Sequence, residues 1–183
     1  MRTAEVRISC LPRVAAVALD WGPSHVVSLI DPDLAAASRP RFEAPIAHDV
    51  FTFFDQENPD QRPAFIGLCE TVVDRLQAIC AGADPARLLV HCHAGASRST
   101  AAGYVALSLL AGQGREADAF ARLLAMTVKP WPNRLLVEVA DHRLGRGGAL
   151  LAPLDAYRAR YPRRIDAYHR LNPRRGLIST VRR

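Results

Sequence analysis

Cys92 and Arg98 bracket five residues in the run His91-Cys92-His93-Ala94-Gly95-Ala96-Ser97-Arg98-Ser99-Thr100, and that spacing defines a chemistry. A thiolate is a strong nucleophile, and a guanidinium grips two oxygens of a tetrahedral anion as a planar fork. Five intervening residues let the backbone curl so that successive N–H groups converge on one point, beside the positive end of a helix beginning near Arg98. The same positive field favours thiolate over thiol at Cys92. Gly95 supplies positive φ or close backbone approach in so tight a cradle. Ser99 can donate a hydrogen bond to the sulfur and ease its departure from phosphorus. The loop is thus suited to nucleophilic displacement on a phosphate ester. His93, Ala94, Gly95, Ala96, Ser97 and Arg98 would line the phosphate, while His91 braces the loop from the buried strand end. His93 faces either the substrate or solvent.

The flanking elements agree. Arg87-Leu88-Leu89-Val90 reads as a short buried strand, and Thr100 to Ala111 is almost wholly apolar, so the loop joins a strand to a buried helix. Periodicity and breakers predict strands at 5–10, 25–30, 42–47 and 87–91. They predict helices at 12–20, 63–80, 98–111, 115–127, 133–145 and 148–161. This alternation implies a three-layer α/β domain, a mostly parallel central sheet flanked by helices, with the site at the carboxyl end of the strand ending at His91.

The run His-Cys-x5-Arg-Ser, with its Ala-Gly-x-Ser-Arg-Ser wording, resembles the signature of the cysteine-dependent protein tyrosine phosphatases, dual-specificity branch. Trp21-Gly-Pro-Ser-His-Val-Val-Ser-Leu-Ile-Asp-Pro, His48-Asp49-Val50, Pro132-Asn133-Arg134 and the stretch from Ala140-Asp141 to Gly148 resemble a bacterial subgroup of small tyrosine-phosphatase-like proteins, over roughly residues 20 to 150. The resemblance implies a dual-specificity-like fold, Cys92 as nucleophile, Arg98 as phosphate ligand, Ser99 as an aid to thiolate release, and an upstream aspartate as general acid. Asp49, Asp55 and Asp60 precede the helix at 63–80. Asp49 is preferred because it directly follows the strand expected at 42–47 and matches the His-Asp-Ile/Val step of the subgroup. Asp55, in Asp-Gln-Glu-Asn-Pro, resembles the Asp-x-x-x-Pro flap of other phosphatases. Asp60 and Glu57 read as solvated loop acids.

The chain has 183 residues, 49% hydrophobic and 23% charged, enough for one core and too few for two substantial domains. A catalytic domain is expected over 1–150, with a basic helical extension over 151–183. Cysteines 10, 69, 80 and 92 show neither paired nor metal-ligand spacing, so no metal, cofactor or disulfide framework is expected, and a reducing cytoplasm is the natural setting. Cys69 and Cys80 fall on the apolar face of the helix at 63–80. Cys10 or Cys69 serving as a resolving thiol for Cys92 is the alternative to a plain core role. No signal peptide or transmembrane run is recognised.

The net charge of +6 is concentrated in residues 155–183, which hold nine arginines against Asp155 and Asp166. One reading is contact with nucleic acid, a membrane surface or an acidic protein. The favoured one is a solvated basic face, because Leu154, Tyr157, Tyr161, Ile165 and Tyr168 fall near helical spacing as a docking stripe.

The expected partner is a phosphorylated protein or small phosphate ester, and the expected reaction is hydrolysis of phosphotyrosine, with phosphoserine and phosphothreonine as further substrates. The alternatives are a non-protein ester such as a phosphoinositide, and a phosphate-binding module without turnover. Absence of lysine from the loop argues against the phosphoinositide.

Overall fold

The computed structural model describes residues 4–43, 45–57, 62–82, 84, 86–164 and 166, with the backbone alone at Arg62 and Ala64. Four strands, β1 (Glu5–Cys10), β2 (His25–Ile30), β3 (Ala47–Thr52) and β4 (Arg87–Cys92), form one parallel sheet in the order β1-β4-β2-β3. The two central strands explain their own sequences. Val26 to Ile30 and Leu88 to Cys92 are buried throughout, as strands covered on both faces must be. On the edge strand β1, Val6 is buried between exposed Glu5 and Arg7.

Helix α1 (Val14–Trp21) covers one face, packing Val14, Ala18 and Trp21 against Val26 and Leu89. The opposite face carries α2 (Arg62–Cys80), α3 (Arg98–Ala111), α4 (Glu116–Met126) and α5 (Arg134–Arg143), and α6 (Leu151–Arg160) packs on α4 and α5. Helix α3 is buried continuously from Arg98 to Ser108; a helix apolar all round belongs in the centre of a layer. The three-layer α/β architecture is therefore as the sequence implied.

One strand is displaced. The expectation of 42–47 gives way to Ala47–Thr52. Pro45 has no N–H for a ladder, whereas Val50-Phe51-Thr52 is rich in strand-forming types. Asp49 consequently lies within β3, in register with Val27, instead of following the strand.

Helix α6 begins later than expected. Gly145, Gly147 and Gly148 all have positive φ, and the Asp141 carboxylate accepts the N–H groups of Gly148 (2.6 Å) and Leu150 (2.9 Å), fastening the turn before it. Leu154 is buried in the main core and the Tyr157 hydroxyl donates to the Pro130 carbonyl at 2.8 Å. Ile165, Tyr168 and most of the arginine-rich terminus lie outside the described residues. Among the described residues no helix is long and apolar enough to cross a membrane.

Candidate active site

Strand β4 delivers Cys92 as its last residue and α3 starts at Arg98, so residues 92–98 form the loop between them. Donors outside the loop take its carbonyls. Leu11 N–H reaches Cys92 O (2.8 Å) and His93 O (3.1 Å), Trp131 N–H reaches Ala96 O (2.8 Å), and Asn133 N–H reaches Ser97 O (3.3 Å). Within a trans peptide plane the C=O of one residue and the N–H of the next point in opposite directions. Outward carbonyls at 92, 93, 96 and 97 thus turn the N–H groups of His93, Ala94, Ser97 and Arg98 inward, as an anion cradle requires.

Gly95 sits at φ +69°, and a Cβ there would lie 2.9 Å from the Ser9 carbonyl oxygen. Both backbone conformation and space therefore exclude a side chain.

The Cys92 sulfur lies 3.1 Å from the Ser99 hydroxyl. The Arg98 side chain is 1% exposed, with NH1 2.7 Å from Asp31 Oδ1 and donating also to the Phe53 carbonyl. Its Nε–H has no hydrogen-bond acceptor among the described residues and stands 4.0 Å from Asp55 Oδ2. An oxyanion in the cradle would satisfy this buried donor.

His91 is buried next to Cys92 in β4. Its Nε2 lies 2.5 Å from the Ser28 hydroxyl, which also meets His48 Nε2 at 2.8 Å. Burial pushes the His91 imidazole down to about 4, so it is neutral at pH 7. The His93 side chain does not point to solvent. It is buried, and its Nε2 accepts the Asp31 N–H at 3.1 Å. Burial lowers its pKa while Asp31 draws it back up.

The acidic residues separate clearly. Asp49 Oδ2 lies 2.8 Å from Arg75 Nε on α2, and β3 is separated from β4 by β2. The structure does not bring Asp49 to the loop. The physical reason is the shift of β3, which places this residue mid-strand instead of at the strand's exit. Asp55, five residues after the start of Val50-Phe51-Thr52, is the acid brought there: its Oδ1 accepts the Ser97 hydroxyl (2.8 Å) and Asn133 Nδ2 (2.9 Å). Its side chain is 30% exposed, open to a ligand from outside. Asp60 lies outside the described residues.

Sequence reasoning missed two members of this site. Asp31, directly after β2, holds Arg98 and His93 from the adjacent strand end. Asn133 is fully buried and joins three parts: its Nδ2 donates to Asp55 and to Gln56 O (3.0 Å), and its Oδ1 caps α5 at Leu136 N–H (2.9 Å). The legible signal for Asn133 was an N-cap residue ahead of an apolar helix.

Cys10 is the register neighbour of Cys92 across β1 and β4. Cys69 is buried in α2, and burial pushes its thiol up to about 12. No group of three or more metal-ligating side chains occurs among the described residues.

No family model and no curated protein sequence matches the chain. Among solved structures it is similar to human DUSP28, with a TM-score of 0.55 and 19% identity over 75% of this chain and 86% of that one. It is also similar to a single-substitution variant of human DUSP28, with a TM-score of 0.52 and 18% identity over 85% and 92% of the two chains. DUSP28 is a dual-specificity phosphatase, and the four-stranded parallel sheet flanked by six helices described above has the fold of that group.

Proposed function

We propose that this chain is a cysteine-dependent phosphatase that hydrolyses phosphotyrosine in proteins, and phosphoserine or phosphothreonine by the same route. One observation supports the reading above others: a thiol at the exit of a buried strand faces Ser99, while the buried Arg98 holds an unsatisfied N–H beside Asp55. The Cys92 thiolate attacks phosphorus and the bond to the ester oxygen breaks. Arg98 and the inward N–H groups hold the equatorial oxygens as charge builds on them. Asp55, in its acid form, gives its proton to the leaving oxygen. Water then attacks the phosphocysteine, returning a proton to Asp55, and the departing thiolate accepts the Ser99 hydroxyl hydrogen bond. Cys92, Arg98 and Ser99 keep the roles that the resemblance implied, and residues 93–97 line the phosphate through their backbone, the His93 side chain being turned to Asp31. The general acid moves from Asp49 to Asp55.

The test is turnover of para-nitrophenyl phosphate, phenyl phosphate, phosphotyrosine and phosphoserine peptides and phosphoinositides. Cys92→Ser abolishes turnover and retains phosphate-ester binding; Arg98→Ala loses both; chelators have no effect. Asp55→Asn loses about 10²-fold or more on phenyl phosphate together with the basic limb of the pH profile, and Asp49→Asn keeps both. Turnover by Cys92→Ser, or dependence on a divalent ion, would rule the mechanism out. Binding without turnover by the wild type would assign the loop to a recognition module.

A further inference from the structure

The segment carrying Asp55 is held by the last helix. Two residues after Asp55, the Glu57 carboxylate receives the Arg134 backbone N–H at 2.6 Å and both terminal nitrogens of Arg158 at 2.9 and 2.5 Å. Arg158 lies on α6, 101 residues further along the chain. Its guanidinium also donates to the Pro132 carbonyl (2.9 Å) and lies 4.7 Å from the centroid of the Trp131 ring.

Those neighbours are already part of the site. Trp131 N–H holds the Ala96 carbonyl of the loop, and Asn133, next to Pro132, holds Asp55. One guanidinium therefore fixes the segment of the acid and the segment that grips the nucleophile's loop relative to each other. Helix α6 is itself tied down nearby, because Arg134 bonds Asp155 at 2.8 and 3.0 Å.

An exposed ion pair is worth little and orders nothing. Arg158 differs: it is 16% exposed, bidentate to a carboxylate and stacked on an indole, the geometry in which a guanidinium fixes orientation.

Resting on the phosphatase reading, we infer that Arg158 is a positioning residue for the general acid, acting through Glu57 and through Pro132-Asn133, so that α6 belongs to the catalytic unit. A proton donor displaced by about 1 Å loses up to about 10²-fold in rate. That loss falls on substrates whose leaving oxygen needs the proton.

The experiment compares the full-length wild type, Arg158→Ala, Arg158→Lys, Glu57→Gln and the double variant Arg158→Ala/Asp55→Asn. Each is assayed across pH on phenyl phosphate, a poor leaving group, and para-nitrophenyl phosphate, a good one. Arg158→Ala and Glu57→Gln are expected to lower kcat on phenyl phosphate by about tenfold or more, with KM little changed and the basic limb weakened. The loss on para-nitrophenyl phosphate is much smaller. Arg158→Lys recovers part of the rate, since an ammonium supplies charge without the fork. In the Asp55→Asn background Arg158→Ala has no further effect. Equal losses on both substrates, a change confined to KM, or losses additive with Asp55→Asn overturn the inference. Cys92→Ser serves as the control for the underlying reading: activity that it abolishes and Arg158→Ala leaves untouched overturns only the positioning role, whereas wild-type inactivity overturns both.

Discussion

The Asp31 carboxylate lies 2.7 Å from the Arg98 guanidinium, and the two side chains are 7% and 1% exposed. A buried cation of this kind needs a counter-charge even when no anion occupies the loop, and Asp31 provides it from the end of the neighbouring strand. Asp31→Asn retains the shape and removes the charge. It is expected to destabilise the fold by about 3–5 kcal/mol, the usual consequence of leaving one partner of a buried pair uncompensated. Inorganic phosphate or vanadate should restore part of that loss, so the anion-induced rise in Tm is larger in Asp31→Asn than in the wild type. Equal rises in thermal unfolding would show that Asp31 does not balance Arg98.

Gly95→Ala tests the cradle from its opposite side. An L-residue at φ +69° costs about 1–2 kcal/mol, and the added methyl would meet the Ser9 carbonyl oxygen at 2.9 Å. Since that oxygen belongs to β1 backbone, the loop has to move. Phosphate-ester affinity, measured in the Cys92→Ser background, should fall by about tenfold or more alongside the loss of stability. Unchanged affinity would mean that the loop tolerates the displacement.

How far the sequence went is clearest at β3 and at the acids. The loop is legible because all its determinants are local: a cysteine, a glycine, an arginine and a serine between a buried strand and a buried helix. Asp49 is harder to place from sequence because the apolar pattern puts the strand at 42–47, five residues early, although Pro45 inside that run disfavours a strand there. Asp55 was recognised as a candidate, but its partners Ser97 and Asn133 lie 42 and 78 residues away. No periodicity encodes such distances. Asp31, bound to a residue two strands of sequence further on, and His93, drawn into the end of β2, are tertiary facts of the same kind. The docking stripe of α6 was legible at Leu154 and Tyr157 from helical spacing. What Arg158 holds was not, because its charge alone reads as surface.

His91 has its folded pKa pushed down to about 4 by burial, from the usual 6.5 of a free imidazole, and His48 and His93 are lowered for the same leading reason. A base harder to protonate when folded leaves the unfolded chain with more bound protons between those two values. Stability is therefore complete above about pH 6.5 and falls as pH is lowered toward 4, by up to about 1.4 kcal/mol per unit for one such histidine. Denaturant unfolding between pH 7.5 and 4.5 should show this slope. Carboxylates held low by arginine partners, such as Asp155 beside Arg134, lose their contribution chiefly below about pH 4, beneath that range. His91→Gln, whatever its stability at pH 7.5, should flatten the decline between pH 6.5 and 5, because the residue that refuses the proton is gone. An identical slope in wild type and His91→Gln would show that the buried imidazole is not the source of the acid sensitivity.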